Sequence, residues 1–553
     1  MSEELTVFSF RGLEMHGAKI WRYDCLHEAL DFAAAHDMTA LVLHDNSIIH
    51  STTLPKVYFD DSKRKGFAHV RRYLSGIYNK QAYLRDLLKH AKRKGIEVWV
   101  EVKELEFPDE ILERFPHLTK DGVVCPTDPV WFEYLKYKTE EFFELFPEVA
   151  GIILSSGSPE SRAFLSAGKK CSCETCQKTD FGDWNYQIIM SIYNAMTPYG
   201  KKLAVRDFAY TPEDNERIGN IISRTPSDVI FCIKITPRDF WPTFPTNQMI
   251  GRFKDRTQWI EYDTFGQFYG WGISPSIMIK DLRERFSFAK SQGVSGVMLR
   301  TEWEAVPISS FDTINKINLI AGAGLAKDLT QKDEAFVQSW LEEGGFAGNG
   351  ADSKSLTEFL MKTWPIMRKA LYVDGFVFAT SSQFPIDVNK AWYTMSFYHC
   401  LSTWDKSAEG RISLDYKNVM RLFQEKEEAY SELTELLQYL NTHDFGLTET
   451  AYEKLKESFQ FYDLYVRGFG LCVKAAFLSR AIGYEPEELS KRKELADMME
   501  GILGKLAEYV LELKAFEEST SHIYYIYLLM NYRNANSILQ QAQVALTEFK
   551  KSV

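Results

Sequence analysis

Short apolar and β-branched runs alternate with longer amphipathic segments along residues 1–305. Such short runs are typical of strands buried on both faces, whereas the longer segments repeat their apolar positions at helical spacing. The predicted strands are Thr6–Met15, Ala40–His44, Glu97–Lys103, Ala150–Ser155, Lys202–Phe208, Val229–Ile235, Gln258–Thr264 and Gly296–Thr301. The predicted helices between them include Cys25–His36, Gln81–Lys94, Asp128–Leu145, Tyr186–Thr197 and Ile277–Gln292. Eight such units predict an α/β fold, a (β/α)8 TIM barrel; a doubly wound open sheet is the alternative, but the sequence shows no glycine-rich phosphate loop to support it.

The pattern changes after Ser310, where long helical periodicities dominate. From Asp387 onward the chain has a single proline, Pro486, as expected of helix interiors. We therefore predict a barrel domain at residues 1–310 and an all-α helical domain at 311–553. The helices predicted there are Phe336–Glu343, Ser355–Leu371, Lys390–Thr403, Tyr416–Leu440, Glu449–Ile482 and Glu487 to the C-terminus.

The stretch His522–Tyr532 is rich in tyrosine and leucine. A core position or a subunit interface is the expected use of such a stretch, and a wall of the substrate cleft is the lesser alternative. A homodimer formed through the helical domain is therefore one expectation for this chain.

Length and charge narrow the class of protein. The chain has 553 residues, which is enough for two or three domains, and a net charge of -11, which argues against nucleic acid or an anionic membrane as partner. Aromatic residues make up 14%, which suits carbohydrate binding because sugar faces stack on rings, although core packing is the commoner use of aromatics. The N-terminus lacks a basic segment followed by an apolar run, and no run of about 18 apolar residues occurs. We expect a cytoplasmic protein without a membrane span.

Polar residues cluster where the predicted strands end. In a (β/α)8 barrel these C-terminal strand ends carry the active site. Loops are polar in general, which is the alternative explanation, but it accounts poorly for Lys234 and Glu261 inside apolar runs. The clustered residues are Glu14, His16, His44, Asp45, Asn46, Glu101, Lys103, Glu104, Ser155, Ser156, Glu160, Arg206, Asp207, Lys234, Arg238, Asp239, Glu261, Asp263, Arg300, Glu302, Trp303 and Glu304.

Several of these residues are carboxylates suited to glycoside hydrolysis. That reaction needs one acid to protonate the leaving oxygen and one carboxylate to activate water or attack the sugar. Glu261 and Asp263 would leave the same face of a strand, and the glycine- and aromatic-rich run Phe265–Gly272 that follows is typical of an active-site loop. The sequence does not rank the candidates, because carboxyl separation is a spatial quantity. The candidates are Glu160, Asp239, Glu261, Asp263 and Glu302.

Four cysteines form a candidate metal site. Cys171, Cys173 and Cys176 fall within one loop, and Cys125 precedes a predicted helix upstream. Four thiolates can complete a closed tetrahedral zinc site of the structural type; free thiols in a loop are the alternative. The spacing is similar to the four-cysteine zinc cluster of family 42 β-galactosidases. We expect a structural zinc and no cofactor for catalysis.

The segment from Gly151 to about Glu343 resembles glycoside hydrolase family 67, the α-glucuronidases. Gly151-Ile-Ile-Leu-Ser-Ser-Gly-Ser-Pro-Glu160 is similar to the family's strand-four segment, which implies that Glu160 is the general acid. Val205-Arg206-Asp-Phe-Ala-Tyr210 is similar to the strand-five segment, which implies that Arg206 holds the uronate.

The strand-six and strand-seven segments extend this resemblance. Ile233-Lys234-Ile-Thr-Pro-Arg-Asp239-Phe240 is similar to a motif whose lysine contacts substrate and whose aspartate acts on water. After strand seven, the family's second water-activating carboxylate falls on Gln267, a departure that leaves the base role to Asp239, Glu261 or Asp263. The family also has a separate β-rich domain before the barrel, for which we expect no counterpart because the predicted barrel begins at Thr6.

Two interpretations of the cations Arg206 and Lys234 stay open. They can bind a uronic acid carboxylate, which arginine does in bidentate fashion. Alternatively, they can pair with Asp207, Glu261 or Asp263 and keep those carboxylates ionised.

Together these observations predict a glycoside hydrolase that releases a terminal sugar, with a uronic acid expected, from an oligosaccharide. Glu160 would be the acid and Asp239 the base, with inversion if the family mechanism holds. The alternatives are a barrel glycosidase for a neutral or N-acetylated sugar, and a non-catalytic carbohydrate-binding barrel. The predicted substrate-binding residues are Arg206, Lys234, Glu261, Asp263, Gln267, Glu302 and Trp303.

Overall fold

The computed structural model describes residues 8–59, 68–120, 122–165, 171–265, 274–302, 308–520 and 529–553. For residues 68–74 and 381 it describes the backbone only. Eight parallel strands close into a barrel in sequential order, and the last pairs with the first through Phe10 and Gly296. This closure confirms the predicted (β/α)8 barrel and excludes the open sheet. The strands are β1 Phe10–His16, β2 Ala40–His44, β3 Glu97–Glu104, β4 Val149–Ser156, β5 Lys202–Arg206, β6 Ile230–Lys234, β7 Gln258–Asp263 and β8 Gly296–Arg300.

Aromatic side chains fill the N-terminal end of the barrel. Phe10 stacks on Trp259 with ring centroids 3.6 Å apart, and Trp99 meets Phe10 edge-on at 5.8 Å. Gly296 makes room for this layer, since a Cβ there would lie 2.2 Å from Trp259 Cδ1. The interior at this end is therefore apolar and filled, and the buried charged groups lie at the other end of the strands.

The connections after the strands carry the outer helices. Asp128, Asp180 and Thr211 cap three of these helices, each accepting a hydrogen bond from a backbone N–H of the first turn. The helices are α1 Tyr23–Ala35, α2 Ala68–Arg93, α3 Pro129–Leu145, α4 Phe181–Met196, α5 Pro212–Arg224, α6 Ile279–Ser291 and α7 Lys316–Lys327. Shorter helices and 3₁₀ turns lie at Gly17–Trp21, Ile48–Thr52, Lys56–Phe59, Glu110–Arg114, Pro116–Leu118, Glu174–Lys178, Thr197–Tyr199 and Ser310–Asp312, and Thr119–Lys120 pairs with Val123–Val124.

The connection between β6 and β7 differs from the others because residues 235–257 contain no helix. Three prolines, Pro237, Pro242 and Pro245, interrupt any helical pattern in this segment. The segment turns back at the end of β6, where Lys234 Nζ donates to the Arg238 carbonyl oxygen at 3.2 Å. Arg238 and Asp239 are thereby held at the C-terminal end of the barrel.

The rest of the chain is helical, as predicted. Residues 380–382 and 406–408 form 3₁₀ turns, and Tyr372–Val373 pairs with Phe376–Val377. Among the described residues, no helix is both long and apolar enough to cross a membrane. The helices are α8 Asp333–Gly344, α9 Ser353–Leu360, α10 Thr363–Leu371, α11 Val388–Tyr393, α12 Leu401–Trp404, α13 Tyr416–Leu440, α14 Glu449–Ala481, α15 Leu489–Ser519 and α16 Tyr532–Ser552.

Three predicted helices are divided in the structure. Ser355–Leu371 breaks before Thr363, because Pro365 fits only the first turn of α10. Lys390–Thr403 is interrupted by a π-helical turn at Thr394–Tyr398. The described part of the last predicted helix comprises two helices, with Asn531 capping the second; most of the stretch His522–Tyr532 lies outside the described residues.

The helical region lies against the C-terminal end of the barrel. Thr243 Oγ1, in the β6–β7 connection, donates to the Gly375 carbonyl at 2.6 Å. The Ile277 amide, just before α6, donates to Thr363 Oγ1 at 3.1 Å. The helical region therefore borders the loops in which the active site was predicted, while the domain division at 310 and 311 stays a prediction.

Candidate active site

A buried ion pair joins β5 and β7 beneath the site. Arg206 Nη2 donates to Glu261 Oε1 at 2.7 Å, Nε donates to Oε2 at 2.5 Å, and Nε lies 3.2 Å from Glu101 Oε1. Burial opposes the charge on Arg206, but Glu261 and Glu101 outweigh it and raise the pKa of the guanidinium. These contacts match the ion-pair interpretation of Arg206, and its contact with a uronate stays a prediction.

Glu14 and two histidines form a second buried cluster. Glu14 Oε1 lies 2.7 Å from His44 Nδ1 and 3.1 Å from His16 Nδ1. Burial holds the pKa of His44 well below its ordinary value, so this ring is neutral. The three groups are close enough to share a metal ion, but Arg300 Nη2 lies 3.2 Å from His16 Nδ1 and places a cation there instead. The cluster is better suited to supplying fixed hydrogen-bonding groups at the base of the site than to binding a metal.

Glu302 and Asp263 are also buried. Glu302 accepts a hydrogen bond from the His16 amide at 2.8 Å, and its other oxygen lies 3.1 Å from Lys19 Nζ. Burial raises the pKa of Glu302 to about 7, against the opposing effect of Lys19. Asp263 Oδ1 accepts from the Phe265 amide at 3.0 Å. Neither carboxylate is open to solvent, since each residue is no more than 2% exposed.

Glu160 is placed differently from these carboxylates. Its side chain is 46% exposed and forms an ion pair with Lys103 at the end of β3. Its backbone amide donates to Ser158 Oγ at 3.2 Å, which fixes the short turn after β4. Glu160 is therefore a carboxylate that an incoming substrate can reach.

Asp239 is the second accessible carboxylate, with a side chain 32% exposed. Its Oδ1 lies 3.2 Å from Lys234 Nζ, and the Lys234 amide donates to Asp207 Oδ1 at 2.8 Å. Burial alone would raise the pKa of Asp239, but Lys234 and Arg238 outweigh it and lower that pKa. Asp239 is accordingly ionised near neutral pH.

Arg238 is a buried cation whose charge acts on the neighbouring Asp239 carboxylate. Its φ of 72° lies in the left-handed region, which is costly for a residue with a side chain. The guanidinium lies between the rings of Tyr210 and Tyr398, 4.0 and 4.9 Å from their centroids. No ion pair joins Arg238 to a carboxylate of the described residues, and its Nε is buried without a hydrogen-bond partner there. A buried guanidinium of this kind has unused capacity for an anion.

Tyr210 interacts electrostatically with Arg238, Glu160 and Asp239. Burial raises the pKa of its hydroxyl, Arg238 lowers it, and the Glu160 and Asp239 carboxylates both raise it further. Of these three groups, Arg238 lies closest to the Tyr210 ring, 4.0 Å from its centroid. A cavity of ≈ 470 Å³ lies beside Tyr210 and is lined also by Pro159, Phe208 and Arg217; Glu160, Arg238 and Asp239 are not among its lining residues.

The structure thus brings most of the predicted site residues to one end of the barrel. Gln267 and Trp303 lie outside the described residues, so their predicted roles are untested. Arg238 was predicted only as one of the polar residues at the strand ends, without a role of its own, and Tyr398 and His399 were missed as site residues. Arg238 follows a proline at a strand end, which is a usable signal, whereas the other two belong to a helical pattern typical of core.

The four predicted cysteine ligands also come together. The Sγ atoms of Cys171 and Cys176 are 3.3 Å apart, and Cys125 Sγ lies 3.6 Å from both Cys173 and Cys176. Tetrahedral zinc with Zn–S bonds of about 2.3 Å places its sulfurs about 3.8 Å apart. All four thiols are free of disulfides and could bind a metal.

No family model and no curated protein matches the sequence. Among solved structures, a GH138 enzyme targeting pectin rhamnogalacturonan II is similar, with a TM-score of 0.64 and 12% identity over 99% of this chain and 84% of its own. A GH115 4-O-methyl-α-glucuronidase with specificity for decorated arabinogalactans has a TM-score of 0.44 and 11% identity over 96% and 60% of the two chains.

A GH20 exo-β-N-acetylglucosaminidase from Vibrio harveyi has a TM-score of 0.39 and 12% identity over 61% of this chain and 58% of its own. This chain therefore spans less than two thirds of the length of the GH115 and GH20 proteins. At 12% identity the GH138 comparison shows the fold alone, a TIM barrel of the class found in glycoside hydrolases. The comparisons do not assign the chain to a family.

Proposed function

We propose that the protein is a glycoside hydrolase that releases a terminal uronic acid from an oligosaccharide. The observation that carries this proposal is Arg238, a buried guanidinium that makes no ion pair with a carboxylate of the described residues and whose Nε has no hydrogen-bond partner there. A sugar carboxylate would complete the hydrogen bonding of that guanidinium. The glycosidic oxygen of that sugar would then lie near Glu160 and Asp239.

Glu160 is proposed as the general acid and Asp239 as the base. Of the five candidate carboxylates, Glu261, Asp263 and Glu302 are buried, so we propose that they support the floor of the site. Asp239 is kept ionised by Lys234 and Arg238, which suits a group that accepts a proton from water. Attack by that water on the face opposite the leaving group would invert the anomeric configuration.

The test is hydrolysis of matched oligosaccharides that end in a uronic acid or in the corresponding neutral sugar, followed by NMR. Acidic pectic fragments are the first substrates to try, because the GH138 structure is that of an enzyme targeting a pectin. We expect release of the uronic acid with inverted configuration, and at least a hundredfold slower release of the neutral sugar. Faster turnover of the neutral sugar would select the neutral glycosidase instead. Binding by calorimetry without turnover would select the carbohydrate-binding barrel.

We also propose that Cys125, Cys171, Cys173 and Cys176 hold a structural zinc ion. Their sulfurs are near the separations that tetrahedral zinc requires, and four thiolates leave no position for water. The purified protein is expected to contain about one zinc by elemental analysis, and Cys176→Ser to lose it together with several degrees of melting temperature. The control is Cys472→Ser, a buried thiol on α14 away from the cluster, which should keep its zinc. A wild-type protein purified without metal and unchanged in stability on adding zinc would contradict the proposal.

A further inference from the structure

Three aromatic side chains stand exposed on the helical region next to the candidate site. The exposed fractions are 56% for Tyr393, 73% for Phe397 and 47% for Tyr398. We call these three residues the aromatic platform. Large apolar side chains grouped at a surface generally mark a contact with a ligand or a partner.

The local backbone aligns the three rings. Residues Thr394–Tyr398 form a π-helical turn, a rare feature that often marks functional sites. The Tyr393 ring lies 5.8 Å from that of Phe397 at an interplanar angle of 25°, and 6.4 Å from that of Tyr398 at 13°. The rings of Phe397 and Tyr398 are therefore both close to parallel with that of Tyr393.

The platform is continuous with the site through Tyr398. Its ring lies 4.9 Å from the Arg238 guanidinium and 4.2 Å from the ring of His399. His399 is 4% exposed, and neither of its ring nitrogens has a hydrogen-bond partner among the described residues. His399 also lies near enough to Asp239 to lower the pKa of that carboxyl. The surface thus runs from solvent to a buried imidazole that has no hydrogen-bond partner among the described residues.

We propose that the aromatic platform binds the sugar residues of the oligosaccharide that remain after the terminal uronic acid is released. This inference rests on the proposed function. The C–H faces of pyranose rings pack on flat aromatic rings, and a row of near-parallel rings suits consecutive sugars. His399 would offer its ring nitrogens to a hydroxyl of the sugar nearest the cleaved bond.

The size of the platform favours a sugar chain over a second protein copy. Three aromatic side chains at these exposures offer roughly 350 Å². A stable protein interface needs about 800 Å² from each partner. The platform alone is therefore too small for a stable dimer but matches two or three sugar rings.

The test compares Tyr393→Ala and Phe397→Ala with wild type on two pectic uronides, a disaccharide and an oligosaccharide of at least five residues. Both residues are exposed, so the variants should fold. We expect the ratio of kcat/KM for the long substrate to that for the disaccharide to fall about tenfold, through KM. The matched control is Phe288→Ala, a phenylalanine 41% exposed near the end of α6 at the opposite end of the barrel, which should keep the wild-type ratio.

Calorimetry with the long oligosaccharide and no turnover provides a second measurement. In a Glu160→Gln background, Phe397→Ala is expected to weaken binding about tenfold. An unchanged affinity and an unchanged kcat/KM ratio would overturn the platform proposal while leaving the proposed function intact. A wild-type protein that neither binds nor cleaves any uronide would overturn both. A change from dimer to monomer in Phe397→Ala by sedimentation would instead make the platform a subunit interface and overturn its role as a sugar site.

Discussion

Glu160→Gln is expected to lower kcat for an oligosaccharide uronide by at least about a hundredfold while KM stays within about threefold. Glutamine keeps the size of the side chain but has no proton to donate to the departing oxygen. General acid catalysis contributes about 10² to 10⁴ in rate, and sugar leaving groups need that proton. Steady-state kinetics on a uronide trisaccharide would measure the loss.

Two comparisons separate an acid from a group that only binds. A uronide with a nitrophenol leaving group departs without a proton, so Glu160→Gln should retain much more of its activity on that substrate. Glu302→Gln tests the rival acid, because the pKa of Glu302 is raised to about 7 although its side chain is buried. If Glu302→Gln retains its activity only on the nitrophenol substrate and Glu160→Gln does not, then Glu302 is the general acid.

The control for Glu160→Gln is a glutamate in a similar setting outside the cleft. Glu216 is 48% exposed and lies 2.6 Å from Arg252 in an ion pair, comparable to the 46% exposed Glu160 beside Lys103. Glu216→Gln removes the same charge from a surface ion pair and should leave kcat and KM unchanged. Equal rates for wild type and Glu160→Gln would contradict the assignment of the acid.

The fold was predictable because its signals are local. Strands such as Ala40–His44 are apolar throughout, and the helices after them end at glycines or begin at capping residues, so each β–α unit can be recognised on its own. The exceptions also have local causes. Prolines remove the helix between β6 and β7, and Pro365 divides a predicted helix in two.

From the sequence, the site could be predicted only as a group of polar residues at the C-terminal ends of the strands. Which carboxylates are buried depends on contacts between distant strands, such as that of Arg206 with Glu261, which the sequence left as one of two interpretations. The contribution of the helical region was not predictable at all. Tyr398 contacts Arg238 although the two residues are 160 positions apart in the sequence. An aromatic residue followed by a histidine inside a helical pattern is typical of a packed core.

The specificity for an acidic sugar depends on Arg238. Arg238→Ala is expected to lower kcat/KM for a uronide about a thousandfold, because the sugar carboxylate would be buried without a partner. The corresponding neutral glycoside, which makes no such pair, should lose less than about tenfold. Arg238→Lys should recover only part of the loss, since an ammonium keeps the charge but cannot form two parallel hydrogen bonds.

The matched control for Arg238 is Arg224, whose guanidinium lies 4.5 Å from the Tyr186 ring and pairs with Asp183 on the barrel surface. Arg224→Ala removes a guanidinium stacked on tyrosine without touching the cleft and should preserve the preference for uronides. Inhibition by the free uronic acid should weaken in Arg238→Ala in parallel with the loss of kcat/KM. Equal losses on uronide and neutral glycosides, accompanied by a lower melting temperature, would instead mean that Arg238 only braces Tyr210 and Tyr398. The anion site would then have to be sought at Lys234, which already pairs with Asp239.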